Sequence, residues 1–181
     1  MQDIRKVKTE RDIQTALLKL LREKTFDKIT IADICATALT GRSTFYDHYT
    51  DKYALLEQMV AHYTDLFARL MHDRLNVLMS ESGDKALIAF YKRLQPQGQA
   101  ILTLLDVHEE NADLTKNIKQ ELKEEWTHYL DTSDRPSTLP RDFMVFLGTD
   151  VVMSFIRWSL THTVDEAIAH FAGRFRQAMF E

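Results

Sequence analysis

Five side chains that can donate hydrogen bonds lie within one run of seven residues, Arg42-Ser43-Thr44-Phe45-Tyr46-Asp47-His48. An arginine can donate two parallel hydrogen bonds to a guanine edge. Hydroxyl, phenol and imidazole groups can bond phosphate oxygens. The remaining aromatic residue, Phe45, would point elsewhere and anchor the run to an apolar core. The run therefore indicates recognition of a polyanion such as DNA.

Such a run needs a scaffold that presents one face of a short helix. Residues 30 to 48 predict two short helices joined by a tight turn, in which the second helix can enter a major groove while the first braces it. Thr30 with Asp33 forms a capping box that opens the first of them, which turns Ile31, Ile34 and Cys35 inward. The alternative is an ordinary helical hairpin whose polar residues are merely solvated.

The rest of the chain is also predicted to be helical, with only five glycines and three prolines to interrupt it. A capping box at Thr9 and Asp12 predicts a first helix that runs to about Lys24. Asp51 can cap a long helix from about Lys52. Further helices are predicted at about 84 to 94, 99 to 107 and 111 to 131.

Two C-terminal helices complete the predicted organisation. One begins near Pro140 and is apolar over much of its circumference, and a third capping box, Thr163 with Glu166, opens the last helix. A helix that is apolar on more than one face must be covered on more than one side. We therefore expect these two helices to form a four-helix interface with a second copy, through Phe146, Val151, Ile156, Leu160, Ile168, Phe171, Phe175 and Met179.

Aromatic and methionine residues in the same body could line a small-molecule cavity. At helical spacing such residues are more often plain core, so both interpretations stay open. The candidates are Phe67, Phe90, Tyr91, Trp126, Phe143, Met153, Phe155 and Trp158.

Composition sets the broad class. A hydrophobic fraction of 45% with 28% charged residues is typical of a globular chain. The net charge is −4, but residues 1 to 28 hold eight Lys/Arg against five Asp/Glu, whereas residues 61 to 181 hold thirteen against eighteen. A basic leading end on an acidic body is weak support for a DNA-binding head. No apolar run follows the first charges and none is long enough for a membrane span, so we expect a cytoplasmic protein.

Two longer stretches extend the pattern: Phe26-Asp-Lys-Ile-Thr30-Ile-Ala-Asp-Ile34 and Arg42-Ser-Thr-Phe-Tyr46-Asp-His-Tyr-Thr50-Asp-Lys52-Tyr-Ala-Leu-Leu56. Over about residues 9 to 57 the chain resembles the N-terminal domain of TetR-family transcription regulators; beyond residue 57 it is similar in architecture only. The resemblance implies an all-α fold, with a three-helix helix-turn-helix domain at residues 1 to 51 and a helical ligand-binding and dimerisation domain at residues 52 to 181.

The resemblance also implies roles for individual residues. Thr30 would bond a phosphate at the start of the second helix, and Arg42 would be the main reader of sequence. The full set of DNA contacts implied is Thr30, Arg42, Ser43, Thr44, Tyr46, His48 and Lys52. A homodimer would place two recognition helices about 34 Å apart on a pseudo-palindromic operator. A small-molecule effector would pivot the long helix, most commonly relieving repression.

The turn departs from the family pattern. Family members usually have Ala-Gly-Val-Ser here, whereas this chain has Ala38-Leu39-Thr40-Gly41. Leu39 lacks the freedom of glycine at positive φ. Gly41 can serve as an N-cap, or Thr40 could shift the cap by one residue, so the start of the recognition helix has two alternatives.

Several other residues are of types that serve different functions. Cys35 could be a redox sensor, although a small buried side chain is the simpler interpretation. A metal ion could be the effector, because the body contains four histidines that could bind one: His62, His72, His108 and His128. None of them has a second histidine at the close spacing typical of a metal-ligand pair. No cofactor motif, glycine-rich phosphate loop or nucleophile elbow is evident, which argues against an enzyme. The main alternative is a helical interaction module whose body binds another regulator, with DNA binding secondary.

Overall fold

The computed structural model describes residues 4 to 72, 83 to 132 and 139 to 178, and the fold is all-helical apart from one short hairpin, as predicted. The α-helices are α1 (Ile4–Leu21), α2 (Ile31–Thr37), α3 (Arg42–Tyr46), α4 (Lys52–Met71), α5 (Gly83–Leu94), α6 (Gly98–Leu105), α7 (Leu114–Thr132), α8 (Arg141–Ser159) and α9 (Glu166–Ala178). Single 3₁₀ turns cover Phe26–Lys28 and Gln95–Gln97, and the hairpin strands are β1 (His108–Glu109) and β2 (Ala112–Asp113).

The chain divides into two compact units, residues 1 to 63 with 103 to 114, and residues 64 to 102 with 115 to 181. The boundary at Tyr63 and Thr64 falls inside α4, so one continuous helix contributes to both units. The domain boundary expected at residues 51 and 52, from the family architecture, stays a prediction.

The first unit is a small helical core. α1 packs on α2, and α2 on α3. Its interior is made by apolar residues that recur on one face of each helix, which is the spacing expected of helices packed around a common core. Its fully buried members include Ile13, Leu17, Ile29, Ile34, Phe45, Leu55 and Leu56.

The second unit contains α5, α7, α8 and α9, with α9 packed against α5. α7 and α8 are joined by a salt bridge in which Lys119 Nζ donates to Asp150 Oδ1 over 2.8 Å. They also meet where the indole of Trp126 lies against Gly148: an ideal Cβ on that glycine would be 2.4 Å from Trp126 Cε2. Only a residue without a side chain fits there.

The hairpin was not predicted. The sequence predicted a polar helix from about residue 111, whereas α7 begins at Leu114 and residues 108 to 113 form an antiparallel pair, His108 opposite Asp113. The side chains of these two residues are bonded across the hairpin, Nδ1 to Oδ2, over 2.9 Å. The polar residues at positions 108 to 113 are compatible both with the first turn of a solvated helix and with a short hairpin. Periodicity alone therefore did not distinguish the predicted helix from the observed hairpin.

Two of the three predicted capping boxes are wrong. Thr9 lies within α1, where its hydroxyl donates to the Arg5 carbonyl over 3.0 Å, and the helix starts earlier and ends at Leu21. At α9 it is Asp165, not Thr163, that caps, because its Oδ1 accepts from the Ile168 N–H over 3.0 Å. Among the described residues no helix has both the length and the apolar character needed to cross a membrane.

Candidate nucleic-acid interface

The start of α2 is held by the predicted capping box, which is confirmed. Thr30 Oγ1 accepts from the Asp33 N–H over 3.2 Å, and Asp33 Oδ2 accepts from the Thr30 N–H over 2.9 Å. The same carboxylate oxygen also accepts from the Thr30 hydroxyl over 2.8 Å and from Lys24 Nζ over 2.7 Å. The ammonium of Lys24, followed by the two Thr30 donors, lowers the pKa of Asp33 to about 2.

The turn between α2 and α3 is a Schellman motif. The Thr40 N–H donates to the Cys35 carbonyl over 3.0 Å, and the Leu39 N–H to the Ala36 carbonyl over 3.4 Å. This pair of bonds requires a left-handed residue at the position that Leu39 holds. Leu39 accordingly has φ of 54°, the one positive φ of a non-glycine residue among the described positions. The sequence departure at this position thus leaves the turn intact but strained.

The start of α3 follows from this turn. Gly41 is the N-cap, with φ of −78° and ψ of 156°, and α3 begins at Arg42. Of the two alternatives for the start of the helix, the cap at Gly41 is the one observed. Arg42 is therefore the first helical residue and lies exposed at the turn.

α3 has one buried face and one open face. Phe45 is fully buried, and Tyr49 follows it into the core, where its hydroxyl accepts from Gln14 Nε2 of α1 over 3.2 Å. Burial raises the pKa of Tyr49 to about 12. Arg42 and Tyr46, in contrast, are exposed to solvent.

The open face carries donors that the protein itself does not use. The side chain of Tyr46 is 56% exposed, and within the described chain it forms only ring contacts. Among the described residues, no hydrogen bond or ion pair engages any side chain of this group, which we call the α3 surface: Arg42, Ser43, Thr44, Tyr46 and His48. These groups can bind an external acceptor without breaking an internal bond.

Thr30 and Lys52, the other two predicted contacts, differ from the α3 surface because their donors are already engaged. Both Thr30 donors go to Asp33. Lys52 Nζ donates to the backbone carbonyls of Phe26, Ile29 and Asp27 over 2.8, 2.9 and 3.1 Å. Sequence reasoning missed this, since no local spacing links a lysine to carbonyls more than twenty residues away.

The predicted ligand-lining residues fall into two groups. Phe67, Phe90, Tyr91 and Phe155 form a continuous aromatic run, with ring centroids 6.0, 5.5 and 5.8 Å apart in that order. Trp126 and Met153 are also buried in the second unit. Phe143 and Trp158, in contrast, are exposed on α8, so they do not share this interior.

The predicted dimerisation residues differ in how far they are exposed to solvent. Phe146 and Phe171 are 62% and 58% exposed, which is unusual for phenylalanine in a monomer. Phe155 and Trp158 line an open groove of about 470 Å³ with Ile168 and Phe171. Ile156 is 1% exposed and packs within its own protomer. The partly buried members are Val151, Leu160 and Ile168, while Met179 and the side chain of Phe175 lie outside the described residues.

The alternative sites have little support. Cys35 is buried, as the simpler interpretation predicted, and burial raises the pKa of its thiol although the charge of Arg42 opposes that shift. Such a thiol is a poor nucleophile. In the described part of the chain no three His, Cys, Asp or Glu side chains are grouped so that they could hold a metal ion.

Known proteins resemble the chain both in this region and over its length. The sequence profile of the bacterial regulatory proteins, tetR family, matches residues 13 to 59. The uncharacterized HTH-type transcriptional regulator YxbF of Bacillus subtilis (strain 168) is 44% identical over 59 residues, which are 32% of this chain and 16% of that protein. The chain thus spans much less than two thirds of that relative.

Solved structures extend the similarity to the second unit. A TetR transcriptional regulator from Streptococcus agalactiae 2603V has a TM-score of 0.63 at 24% identity, covering 98% of this chain and 96% of that one. The dihydroxyacetone kinase operon activator DhaS has a TM-score of 0.56 at 15% identity, covering 95% and 96%. At such identities these structures show a shared fold. Together with the profile match at residues 13 to 59, they show that the chain carries a helix-turn-helix of the tetR type and shares its overall fold with these regulators.

Proposed function

We propose that the chain is a sequence-specific transcription regulator that binds DNA as a homodimer and carries no catalytic activity. The observation that carries this proposal is the α3 surface, five side chains with unengaged hydrogen-bonding groups on a helix held by Phe45 and Tyr49. These donors can form hydrogen bonds to base edges and phosphates without first breaking a hydrogen bond within the protein. A regulator of this kind acts where the DNA is, so we propose that the protein is cytoplasmic.

Arg42 is the proposed reader of sequence. It stands at the first turn of α3, and the N-terminal residues of a recognition helix are those that reach base edges. Ser43 and Thr44 would contact base edges or nearby backbone, and Tyr46 and His48 would bond phosphates. Thr30 would reach a phosphate only by giving up its bond to Asp33.

The proposed homodimer rests on the exposed aromatic side chains of α8 and α9. Burying one phenylalanine contributes about 1.5 to 3 kcal/mol, so Phe146 and Phe171 from two protomers could supply much of a stable association. Two-fold symmetry in the protein then requires a pseudo-palindromic operator, with half-sites about 34 Å apart.

The proposed effector site lies in the second unit. The aromatic run from Phe67 to Phe155 offers apolar lining. Two buried polar atoms, Trp126 Nε1 and Thr149 Oγ1, have no hydrogen-bond partner within the described chain, and such atoms favour a ligand that supplies one. We propose that an apolar molecule with a hydrogen-bond acceptor binds there and releases the operator, which relieves repression. DhaS is named as an activator, so the fold accommodates the opposite sign as well.

Selection of bound duplexes from a random DNA pool by the full-length protein tests the function. The matched control is Arg42→Ala with Tyr46→Ala, two exposed side chains whose removal leaves the core intact. Enrichment of an inverted repeat by the parent alone is the expected result. A folded dimer that enriches no sequence at low salt would contradict the proposal and favour the helical interaction module.

A further inference from the structure

The ammonium of Lys52 is fully occupied in the free protein. It donates to three backbone carbonyls, those of Phe26, Ile29 and Asp27, at 2.8 to 3.1 Å. A lysine ammonium has three N–H donors and no more. One turn of backbone between α1 and α2 therefore takes every hydrogen bond that this side chain can make.

Aromatic rings surround the same charge. Nζ lies 4.6 Å from the centroid of the Phe26 ring and 5.3 Å from that of Tyr53. The two rings pack edge to face, 5.3 Å apart. No carboxylate forms an ion pair with Lys52 in the described chain, so carbonyl dipoles and ring faces provide its electrostatic partners. Together, the three carbonyls and the two rings fix the position of the Lys52 ammonium.

The turn that Lys52 grips leads directly to the helix-turn-helix. Ile29, the last of its acceptors, precedes Thr30, the N-cap of α2, and Lys52 itself is the first residue of α4. We infer that Lys52 is a positioning residue, which ties the first turn of α4 to the N-terminus of α2 and does not itself neutralise a phosphate. The inference rests on the proposed DNA binding and corrects the role that the family resemblance implies for this lysine.

The stability of the free protein gives the first test. Lys52→Met keeps the aliphatic stem but loses all three bonds, so the unfolding constant is expected to rise at least about tenfold. Lys52→Arg is the discriminating variant. A planar guanidinium cannot direct three N–H groups from one nitrogen, so arginine should not restore stability, although it would serve well at a phosphate.

Hydrogen exchange separates positioning from general loss of stability. The Asp33 and Ile34 amides donate to the hydroxyl and carbonyl of Thr30, and the Phe45 amide donates to the Gly41 carbonyl in α3. In Lys52→Met we expect the first two amides to exchange faster than in the parent by a larger factor than the unfolding constant rises, and the Phe45 amide by no more than that factor. A uniform increase at all three sites would contradict the positioning role.

Salt dependence of operator binding gives the remaining test. Loss of one phosphate contact lowers the slope of log affinity against log salt by about 0.9, whereas a positioning residue changes the affinity with the slope unchanged. Arg42→Met is the reference for an exposed cation at the interface. The inference is overturned if Lys52→Met lowers the slope by one contact, or if Lys52→Arg restores both affinity and stability. If the parent binds no duplex, the proposed function fails, while the stability and exchange comparisons still decide the positioning role.

Discussion

Leu39 holds a backbone conformation that suits glycine. Its φ of 54° costs a side-chain-bearing residue roughly 1 to 2 kcal/mol, and its side chain is 94% exposed and contributes no packing. Leu39→Gly should therefore stabilise the free protein by about 0.5 to 1 kcal/mol, after the entropy of glycine in the unfolded chain is subtracted. Urea unfolding measures this. Thr40→Gly is the control, because Thr40 is the next residue of the turn and has no positive φ, and this variant should be less stable than the parent. If both variants lose the same free energy of unfolding, Leu39 is not strained.

Asp33 makes the first unit sensitive to acid. Its folded-state pKa of about 2 lies below the ordinary 3.8, chiefly because of Lys24, so its stabilising contribution is complete above about pH 4 and is lost as the pH falls through 2. In Asp33→Asn, the free energy of unfolding should therefore fall less steeply between about pH 4 and pH 2 than it does in the parent. NMR titration of the carboxyl carbon checks the pKa, which Lys24→Met should raise. A parent Asp33 that titrates at its ordinary value would contradict the assignment.

At the scale of elements, the contact between α7 and α8 depends on one glycine. A methyl at Gly148 would lie 2.4 and 2.7 Å from Trp126 Cε2 and Cζ2, inside a buried ring that cannot move freely. Gly148→Ala should cost about 1 to 3 kcal/mol through overpacking, more than the gain in helix propensity returns. Thermal unfolding measures it. The double variant with Trp126→Phe should recover part of the loss, and its failure to do so would exclude this steric cause.

Helix boundaries show which local rules were reliable. The Thr30 and Asp33 capping box formed, whereas Thr9 with Asp12 carried the same pattern and lies inside α1. A capping box specifies a start only where the preceding residues cannot continue the helix. Residues 4 to 8 are compatible with helix, so α1 extends through the pattern, and a threonine inside a helix can bond the carbonyl four residues back.

At the scale of the whole molecule, the proposed dimer depends on the exposed aromatic side chains of α8 and α9. Phe146→Glu with Phe171→Glu places charges where the exposed aromatic face would meet its copy, so the dissociation constant of the proposed dimer should rise at least about a hundredfold. Sedimentation velocity measures this. Ile4→Glu, at an exposed apolar position on α1, is the control and should leave association unchanged. A double variant that stays dimeric would show that this face is not the interface.

Short-range physics explains what could be read directly from the sequence. The helical class, the cap at Thr30, the buried anchor Phe45 and the exposed Arg42 all depend on residues within one or two turns of each other. Periodicity and capping operate over that distance. The fold class and most of the α3 surface were therefore predictable without any tertiary information.

Tertiary structure decided the rest, because long-range partners leave no local pattern. The carbonyls that engage Lys52 lie 23 to 26 residues before it, and the indole against Gly148 belongs to a different helix. The same cause divides the predicted aromatic set, since burial of Tyr91 and exposure of Trp158 depend on which helices pack together. The sequence by itself determined which side chains carry donors suited to DNA, and only packing decided which of those donors remain unengaged in the free protein.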